Sequence, residues 1–165
     1  MTDCASRVIL GIDPGLANTG WGIVRQTGGR LACLAYGCIS TSPNTDLSQR
    51  LRKIYDQMAL IVQRYEPSCL GIETVWFGAN VQSAFATGQA RGAAFDAKVG
   101  EFSPSQIKKA VTGEGSAEKD QVEYMVQQLL SLPEPPRPDH AADALAAAIC
   151  FVTHELPYVE KGRFR

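Results

Sequence analysis

The hydrophobic pattern begins with a short, almost continuously apolar segment at residues 7–13 (RVILGID). Such a segment is typical of a strand covered on both faces, and the Asp-Pro-Gly that completes it predicts a turn. A second run, Gly20 to Gln26, is joined by Thr27-Gly28-Gly29 to a third run, Arg30 to Ser40. Because a Gly-Gly pair between two apolar runs is a hairpin signal, the chain is predicted to open as a three-stranded meander.

A helical spacing of apolar residues follows the meander and stops at Pro67. Asp46 and Gln49 form a predicted capping pair at its start, and one face of this helix is expected to lie on the sheet. Ser68 to Thr74 (SCLGIET) predicts another short buried strand, reached by a crossover that is right-handed when the joined strands are parallel. The apolar helix positions are Leu47, Leu51, Ile54, Met58, Ile61, Val62 and Tyr65.

The second half of the chain is predicted to be mainly helical. From Asn80 to Gly100, large apolar residues and glycines share one stripe while small residues fill much of the rest, which favours close helix packing or a dimer contact. A short stretch to Phe102 follows, and a Pro-rich hinge spans residues 133–138. Further helices are predicted over Ser103–Val111, over Ser116–Leu132 and from Asp139 onward.

Length and composition indicate one globular domain. The chain has 165 residues, of which 45% are hydrophobic and 20% charged, enough to bury a core within a single unit. We expect that domain to span residues 1–155, and residues 156–165 to form a basic, flexible tail. Sixteen Lys and Arg against 17 Asp and Glu give a net charge of -1, so an affinity for nucleic acid would depend on local charge placement.

The cysteine pattern and the hydropathy of the chain indicate the cellular compartment in which we expect the protein. The five cysteines form no Cys-x-x-Cys pair, which excludes a zinc ribbon or a disulfide framework and is typical of buried thiols in a reducing environment. The start Met-Thr-Asp does not resemble a secretory signal, and no apolar run approaches the roughly 20 residues of a membrane span. We therefore expect a soluble, cytoplasmic protein without membrane contacts.

A four-residue sequence pattern that occurs twice indicates where a metal site could lie. Leu10-Gly11-Ile12-Asp13 ends the first predicted strand, and Leu70-Gly71-Ile72-Glu73 ends the strand after the crossover. If these strands are parallel neighbours, Asp13 and Glu73 lie close together at the sheet edge where open α/β sheets place their sites. Two adjacent carboxylates repel each other unless a cation neutralises them, which favours a hard divalent metal ion.

Further candidate ligands open the last predicted helix. His140 and Asp143 are spaced i, i+3 on one helix face, so Asp13, Glu73, His140 and Asp143 could converge on one site. Each of these residues also has an ordinary structural explanation, such as a turn for Asp13 or the helix dipole for Asp143. Their combination is more specific than any single member.

Basic and aromatic residues near these acids suggest contacts with nucleic acid. If Ser116 is an N-cap, Lys119 occupies position N3, where an acid is usual, and a lysine beside a helix N-terminus can bind phosphate. Trp76 and Phe77 follow Glu73 closely and could stack on unpaired bases, although packing in the core is an equal alternative. Arg91 and Lys109 are weaker candidates, and the basic residues at 161–165 could add attraction to a phosphate backbone.

Five separated blocks carry a family resemblance that spans nearly the whole chain. They are GIDPGLANTGWGIV (11–24), GIETVWFGAN (71–80), GQARG (88–92), GSAEKDQV (115–122) and HAADALAAAI (140–149). In this order they resemble the RuvC-type Holliday junction resolvases. The resemblance implies a ribonuclease H-like α/β fold with a mixed five-stranded sheet, an antiparallel meander plus parallel crossover strands, flanked by helices.

The activity that the resemblance implies is a metal-dependent endonuclease. Such an enzyme cuts two like-polarity strands of a four-way DNA junction during recombination and repair. Asp13, Glu73 and Asp143 match the catalytic acids of the family, and the fourth family position, commonly Asp, is His140 here, directly after Asp139. We expect His140 to take that position and Asp139 to cap the helix, although Asp139 remains the alternative ligand.

The resemblance and the chemistry also imply cofactors and partners. Two Mg²⁺ or Mn²⁺ ions are expected, and the imidazole in place of a carboxylate should favour Mn²⁺. Trp76 matches a junction-probing aromatic of the family, and Lys108 and Lys119 match its DNA-contacting lysines. Paired cuts require two sites, hence a homodimer, and the family works with the branch-migration proteins RuvA and RuvB.

Three other functions compete with this interpretation. A ribonuclease H-like enzyme that cuts RNA in hybrids would carry similar acids, although the GQARG and GSAEKDQV blocks argue against it. The GIDPG turn faintly resembles the phosphate loop of actin-like kinases and ATPases, but 165 residues leave no room for their second lobe. A non-catalytic junction-binding module is the third alternative.

Overall fold

The structure, a computed structural model, describes residues 6–74 and 98–154 and is built around one five-stranded sheet. The strands are β1 (Ser6–Asp13), β2 (Asn18–Thr27), β3 (Arg30–Ser40), β4 (Cys69–Glu73) and β5 (Lys98–Phe102). They lie in the order β3-β2-β1-β4-β5, with β1, β2 and β3 antiparallel and β1, β4 and β5 parallel. The predicted mixed sheet, a meander extended by parallel crossover strands, is confirmed.

Four helices within the described ranges cover the two faces of the sheet. They are α1 (Leu47–Tyr65), α2 (Pro104–Thr112), α3 (Lys119–Leu129) and α4 (Asp139–His154). Helix α1 buries Ile54 and Met58 against one face of the sheet, as its apolar spacing predicts. The other three helices share a second hydrophobic core on the opposite face, where α4 is buried along most of its length.

Successive side chains of β1 lie on opposite faces of the sheet. Leu10 and Ile12 are fully buried in the core beneath α1, whereas Ile9 belongs to the core beneath α4. Because side chains alternate along a strand, Gly11 and Asp13 share the α4 face with Ile9. The acid at the end of β1 is therefore directed towards α4 rather than α1.

A row of four glycines crosses the sheet beneath α4. Gly22, Gly11, Gly71 and Gly100 occupy matched register positions on β2, β1, β4 and β5. A methyl group on Gly11 would overlap the backbone carbonyl of Ala144, and one on Gly71 would overlap that of Ala147. The backbone of α4 thus rests directly on the sheet, a contact that the alanine-rich sequence of this helix allows from its own side.

The prediction of one continuous helix to Gly100 is wrong at its end. Residues 98–100 lie in β5, where Gly71 is paired with Gly100 and Val99 with Leu70. Pairing with β4 decides the conformation here, and a helical stripe of apolar residues does not reveal such a tertiary contact. Residues 80–97 of the predicted helix lie outside the described residues.

Helix termini account for the other differences from prediction. Glu118, not Ser116, is the N-cap of α3, and its backbone N–H donates to the side-chain oxygen of Gln121, so Lys119 is the first helical residue and not the third. This helix also ends at Leu129 and not at Leu132. Asp46 precedes α1 but makes no side-chain capping hydrogen bond.

The described cysteines are free thiols, and the expectation that they are buried holds for two of the four. Cys69 and Cys150 are buried, whereas Cys33 and Cys38 are half-buried, and all four are free. Burial raises the pKa of the Cys150 thiol to about 12, which makes this group unreactive. Among the described residues, no helix combines the length and the apolar character that crossing a membrane requires.

The glycine row gives a stability prediction. Gly11→Ala should lower the free energy of unfolding by about 3 kcal/mol, because the new methyl group must push α4 away from the sheet. Gly29→Ala is the matched control, since a methyl group at this hairpin position meets no atom within 4 Å. Urea denaturation should show a change of less than about 1 kcal/mol for the control, and equal effects of both variants would contradict the prediction.

Candidate metal centre

Asp13 and Glu73 end adjacent parallel strands on the same face of the sheet. Ile12 on β1 is paired with Ile72 on β4, so the acid that follows each isoleucine occupies the next row. Each acid also lies two residues after a glycine of the row beneath α4, and therefore on the α4 face. The placement predicted from the repeated Leu-Gly-Ile-acid pattern is confirmed.

The first turns of α4 bring His140 and Asp143 to Asp13. Nδ1 of His140 lies 2.7 Å from Oδ2 of Asp13, a hydrogen bond in which the imidazole N–H donates to the carboxylate. One ligand atom from each of Asp13, His140 and Asp143 lies within 4.8 Å of the other two. Gly20, opposite Asp13 on β2, leaves space for the His140 backbone, because a methyl group there would overlap the His140 carbonyl oxygen.

Glu73 lies beside this group of three and interacts with it electrostatically. Burial, followed by the negative charges of Asp13 and Asp143, raises the pKa of Glu73 from 4.5 to about 7, against the opposing charge of Lys108. The three-residue cluster does not include Glu73. The three acids and the imidazole predicted from the sequence thus lie at one end of the sheet, with ligand atoms of three residues within 4.8 Å of one another and Glu73 alongside.

The charge of this end of the sheet suits a divalent cation. Burial and the charge of Asp13 also raise the pKa of Asp143, while Lys119 and His140 partly offset that effect. Oxygen ligands on opposite sides of a Mg²⁺ ion are separated by about 4 Å, similar to the spacing in this cluster. Carboxylate oxygens and one imidazole form a donor set that Mg²⁺ or Mn²⁺ accepts, so the residues present fit such an ion.

A groove of about 230 Å³ opens beside the carboxylates. Lys108 and Lys119 line it together with Glu73 and Asp143, while Ile107 and Val122 contribute apolar wall. Both lysines predicted to contact DNA therefore lie at the acidic site. A larger groove of about 520 Å³, between α1 and strands β2 and β3, contains none of the four candidate ligands.

Asp139 and His140 point to different partners. The Asp139 carboxylate accepts from Nη1 of Arg137 at 2.6 Å, and its other oxygen lies 3.1 Å from Nζ of Lys119. The expectation that Asp139 caps α4 is wrong, because Asp139 is the first residue of the helix and its side chain is engaged by these two cations. His140, by contrast, contacts Asp13 and lies in the three-residue cluster, and its role as the fourth ligand stays a prediction.

Arg137 and Glu123, which belong to none of the sequence motifs, extend the group of ion pairs around Lys119. Nη1 of Arg137 lies 3.4 Å from Oε2 of Glu123, whose side chain is only 8% exposed. Lys119 and Glu123 are four residues apart on α3, as Asp139 and Asp143 are on α4. The i, i+4 spacing of charged residues on both helices is the sequence signal for this group of ion pairs, although it does not identify which residues pair between the helices.

The residues predicted to bind DNA also include two aromatic residues and an arginine. Trp76, Phe77 and Arg91 lie outside the described residues, as does the predicted basic tail at 156–165. Their roles stay predictions from the sequence.

The family model described as crossover junction endodeoxyribonuclease RuvC matches residues 9–151. The protein of that name from Desulforamulus reducens is 48% identical over 149 residues, which cover 87% of this chain and 91% of the relative.

Solved structures agree with the sequence comparison. The Thermus thermophilus RuvC structure has a TM-score of 0.80 at 32% identity and covers 88% of this chain and 93% of that one. RuvC of the same organism in complex with a Holliday junction substrate has a TM-score of 0.79 at 30% identity, with the same coverage. The expected ribonuclease H-like fold is confirmed by this similarity, and the chain belongs to the RuvC family of crossover junction endodeoxyribonucleases.

Proposed function

We propose that Asp13, Glu73, His140 and Asp143 form the metal site with which this protein cuts four-way DNA junctions by phosphodiester hydrolysis. Membership of the RuvC family assigns the endonuclease activity, and the relative from T. thermophilus has been captured with a Holliday junction substrate. The observation that carries the assignment of residues is the cluster of Asp13, His140 and Asp143, whose ligand atoms lie within 4.8 Å of one another.

Asp13 would hold the metal together with candidate ligands on both of its sides. It lies between Glu73, on the neighbouring parallel strand, and His140, which contacts it at 2.7 Å from the side of β2. When bound, two divalent ions supply Lewis-acid activation of water and neutralise charge that develops on the phosphate oxygens. The strand ends and the first turns of α4 hold the ligands in a rigid arrangement before the substrate arrives.

Lys108 and Lys119 would bind the phosphate backbone of the DNA. Both line the groove beside Glu73 and Asp143, and their charges reduce the repulsion between the acids and a phosphate. Lysine ammonium groups hold phosphates without reading the base sequence. Selectivity for a junction would then come from geometry and from residues such as Trp76, as the family resemblance suggests.

Paired nicks imply an assembly with two such sites. A C2 homodimer would place two metal centres symmetrically on the two strands of one junction. We infer that the protein acts as this dimer during recombination and repair, together with RuvA and RuvB. The support is the family membership and the symmetry of the reaction.

The activity can be tested on a synthetic immobile four-way junction, with duplex, flap and RNA–DNA hybrid controls. We expect paired nicks restricted to the junction in Mg²⁺ or Mn²⁺ and none in chelator. Asp13→Asn should bind the junction with an affinity within about threefold of wild type but lose cleavage by at least about 100-fold, because the fold and the lysines remain while a central metal ligand is weakened.

Other outcomes of this assay identify the alternatives. Cleavage of the hybrid would indicate a ribonuclease-type activity. Junction binding without nicks in both metals and with varied core sequences would indicate a non-catalytic binding module. Full activity of Asp13→Asn would contradict the assignment of the metal site.

Metal preference depends on His140. Because imidazole is softer and neutral, we expect faster junction cleavage with saturating Mn²⁺ than with saturating Mg²⁺. His140→Asp restores a hard oxygen ligand and should reduce the ratio of the two rates severalfold. Equal rates with both metals in the wild-type protein would refute the proposed role of the imidazole.

Glu73 should destabilise the metal-free protein as pH rises. Its folded pKa of about 7 lies above its ordinary value of 4.5, so the folded state holds the proton more tightly and stability is lost as pH increases through this interval. In chelator at pH 8, Glu73→Gln should raise the free energy of unfolding by about 1 to 2 kcal/mol, a value reduced for solvent screening of this half-buried group. The gain should shrink towards pH 5.

The matched control is Glu114→Gln, which removes the same charge from an exposed position. Urea denaturation at the two pH values measures both variants. A gain for Glu73→Gln that does not depend on pH, or one that Glu114→Gln reproduces, would argue against a repelled carboxylate at position 73.

A further inference from the structure

We propose that Asp139 is a positioning residue for Lys119, which holds the lysine ammonium beside the metal centre and retains it when an ion binds at Asp143. The inference rests on the proposed metal site and adds a residue that neither the family motif nor the ligand cluster uses. Its basis is a chain of ion pairs that joins a buried acid on α3 to a ligand on α4.

Lys119 lies between two carboxylates with different tasks. Its Nζ is 3.1 Å from Oδ2 of Asp139 and 3.7 Å from Oδ2 of Asp143. Asp143 belongs to the candidate ligand cluster, whereas Asp139 does not. The closer of the two partners is therefore the carboxylate that remains available when Asp143 binds an ion.

Arg137 fixes the orientation of the Asp139 carboxylate. Each oxygen of Asp139 has its own cation, because Oδ1 accepts from Arg137 at 2.6 Å while Oδ2 faces Lys119. The same Nη1 atom of Arg137 lies 3.4 Å from Oε2 of the buried Glu123. Displacing the Arg137 guanidinium, itself 66% exposed, would leave the buried Glu123 carboxylate without this partner, which is costly, so Arg137 is retained next to Asp139.

A second carboxylate partner for Lys119 lowers the electrostatic cost of binding an ion at Asp143. In the ion-free protein the Lys119 ammonium lies close enough to Asp139 and Asp143 to offset part of their negative charge. A divalent ion at Asp143 would repel the ammonium at short range. With Asp139 as a second partner the lysine keeps an ion pair and stays in the groove, so ion binding costs less free energy.

Mn²⁺ affinity measured by electron paramagnetic resonance of the free ion tests this arrangement without requiring cleavage. Asp139→Asn should weaken Mn²⁺ binding about fivefold, and Asp139→Glu should restore it to within about twofold of wild type. Lys119→Gln should tighten binding severalfold, because the competing cation is gone. In the Lys119→Gln background, Asp139→Asn should change the affinity by less than about twofold, since no lysine is left to hold.

Asp120→Asn is the matched control, because it removes an exposed acid next to Lys119 in the first turn of α3. It should change Mn²⁺ affinity by less than about twofold. Circular dichroism verifies that each variant is folded. If Asp139→Asn does not fold, Lys119→Gln still decides: unchanged or weaker Mn²⁺ binding by that variant overturns the proposal.

The remaining outcomes separate this inference from the proposed function. A fivefold loss that persists in the Lys119→Gln background, or that Asp120→Asn reproduces, would show a general charge effect and overturn the positioning role alone. Absence of Mn²⁺ binding by the wild-type protein would overturn the metal site and the inference together.

Discussion

The direct contact between α4 and the sheet is the constraint on which the site depends. Side chains at Gly11 or Gly71 would push α4 away from the strands. The alanines of α4 have short side chains, which allow the same close approach from the helix side. His140 and Asp143 lie in the first turns of this helix, while Asp13 ends a strand beneath it. Packing at the middle of the helix therefore determines the separation of ligands at its end, because an α-helix transmits such displacements as a nearly rigid rod.

The negative charges at the site destabilise the folded protein when no cation is bound. Glu73 and Asp143 are partly desolvated and repelled by Asp13, which raises the pKa of both. Lys119 relieves part of this repulsion from the rim of the groove and is itself paired with Asp139. The fold, in which ten residues of α4 are buried, maintains a cluster that would be unfavourable on its own and that a divalent cation stabilises.

The sequence predicts the parts of the molecule that depend on local periodicity. Asp13 and Glu73 could be placed because each ends an apolar strand, and His140 and Asp143 because their spacing defines one helix face. The start of α3 was not predictable in this way, since two overlapping capping patterns compete and only the Glu118 pattern has a glutamine at the third position. The contact of Asp139 with Lys119 and the pairing of β5 with β4 arise between distant segments, where a single sequence carries no periodic signal.

The two acid-bearing strands share one three-residue unit, glycine, isoleucine and acid, at 11–13 and at 71–73. Within it, the first residue serves helix packing and the third serves chemistry on the same face, while the isoleucine fills the core on the other side. A single-residue insertion or deletion inside this unit would reverse the acid to the α1 face while leaving the composition almost unchanged. Length variation in evolving relatives should therefore accumulate in the connecting loops and spare the interior of these units.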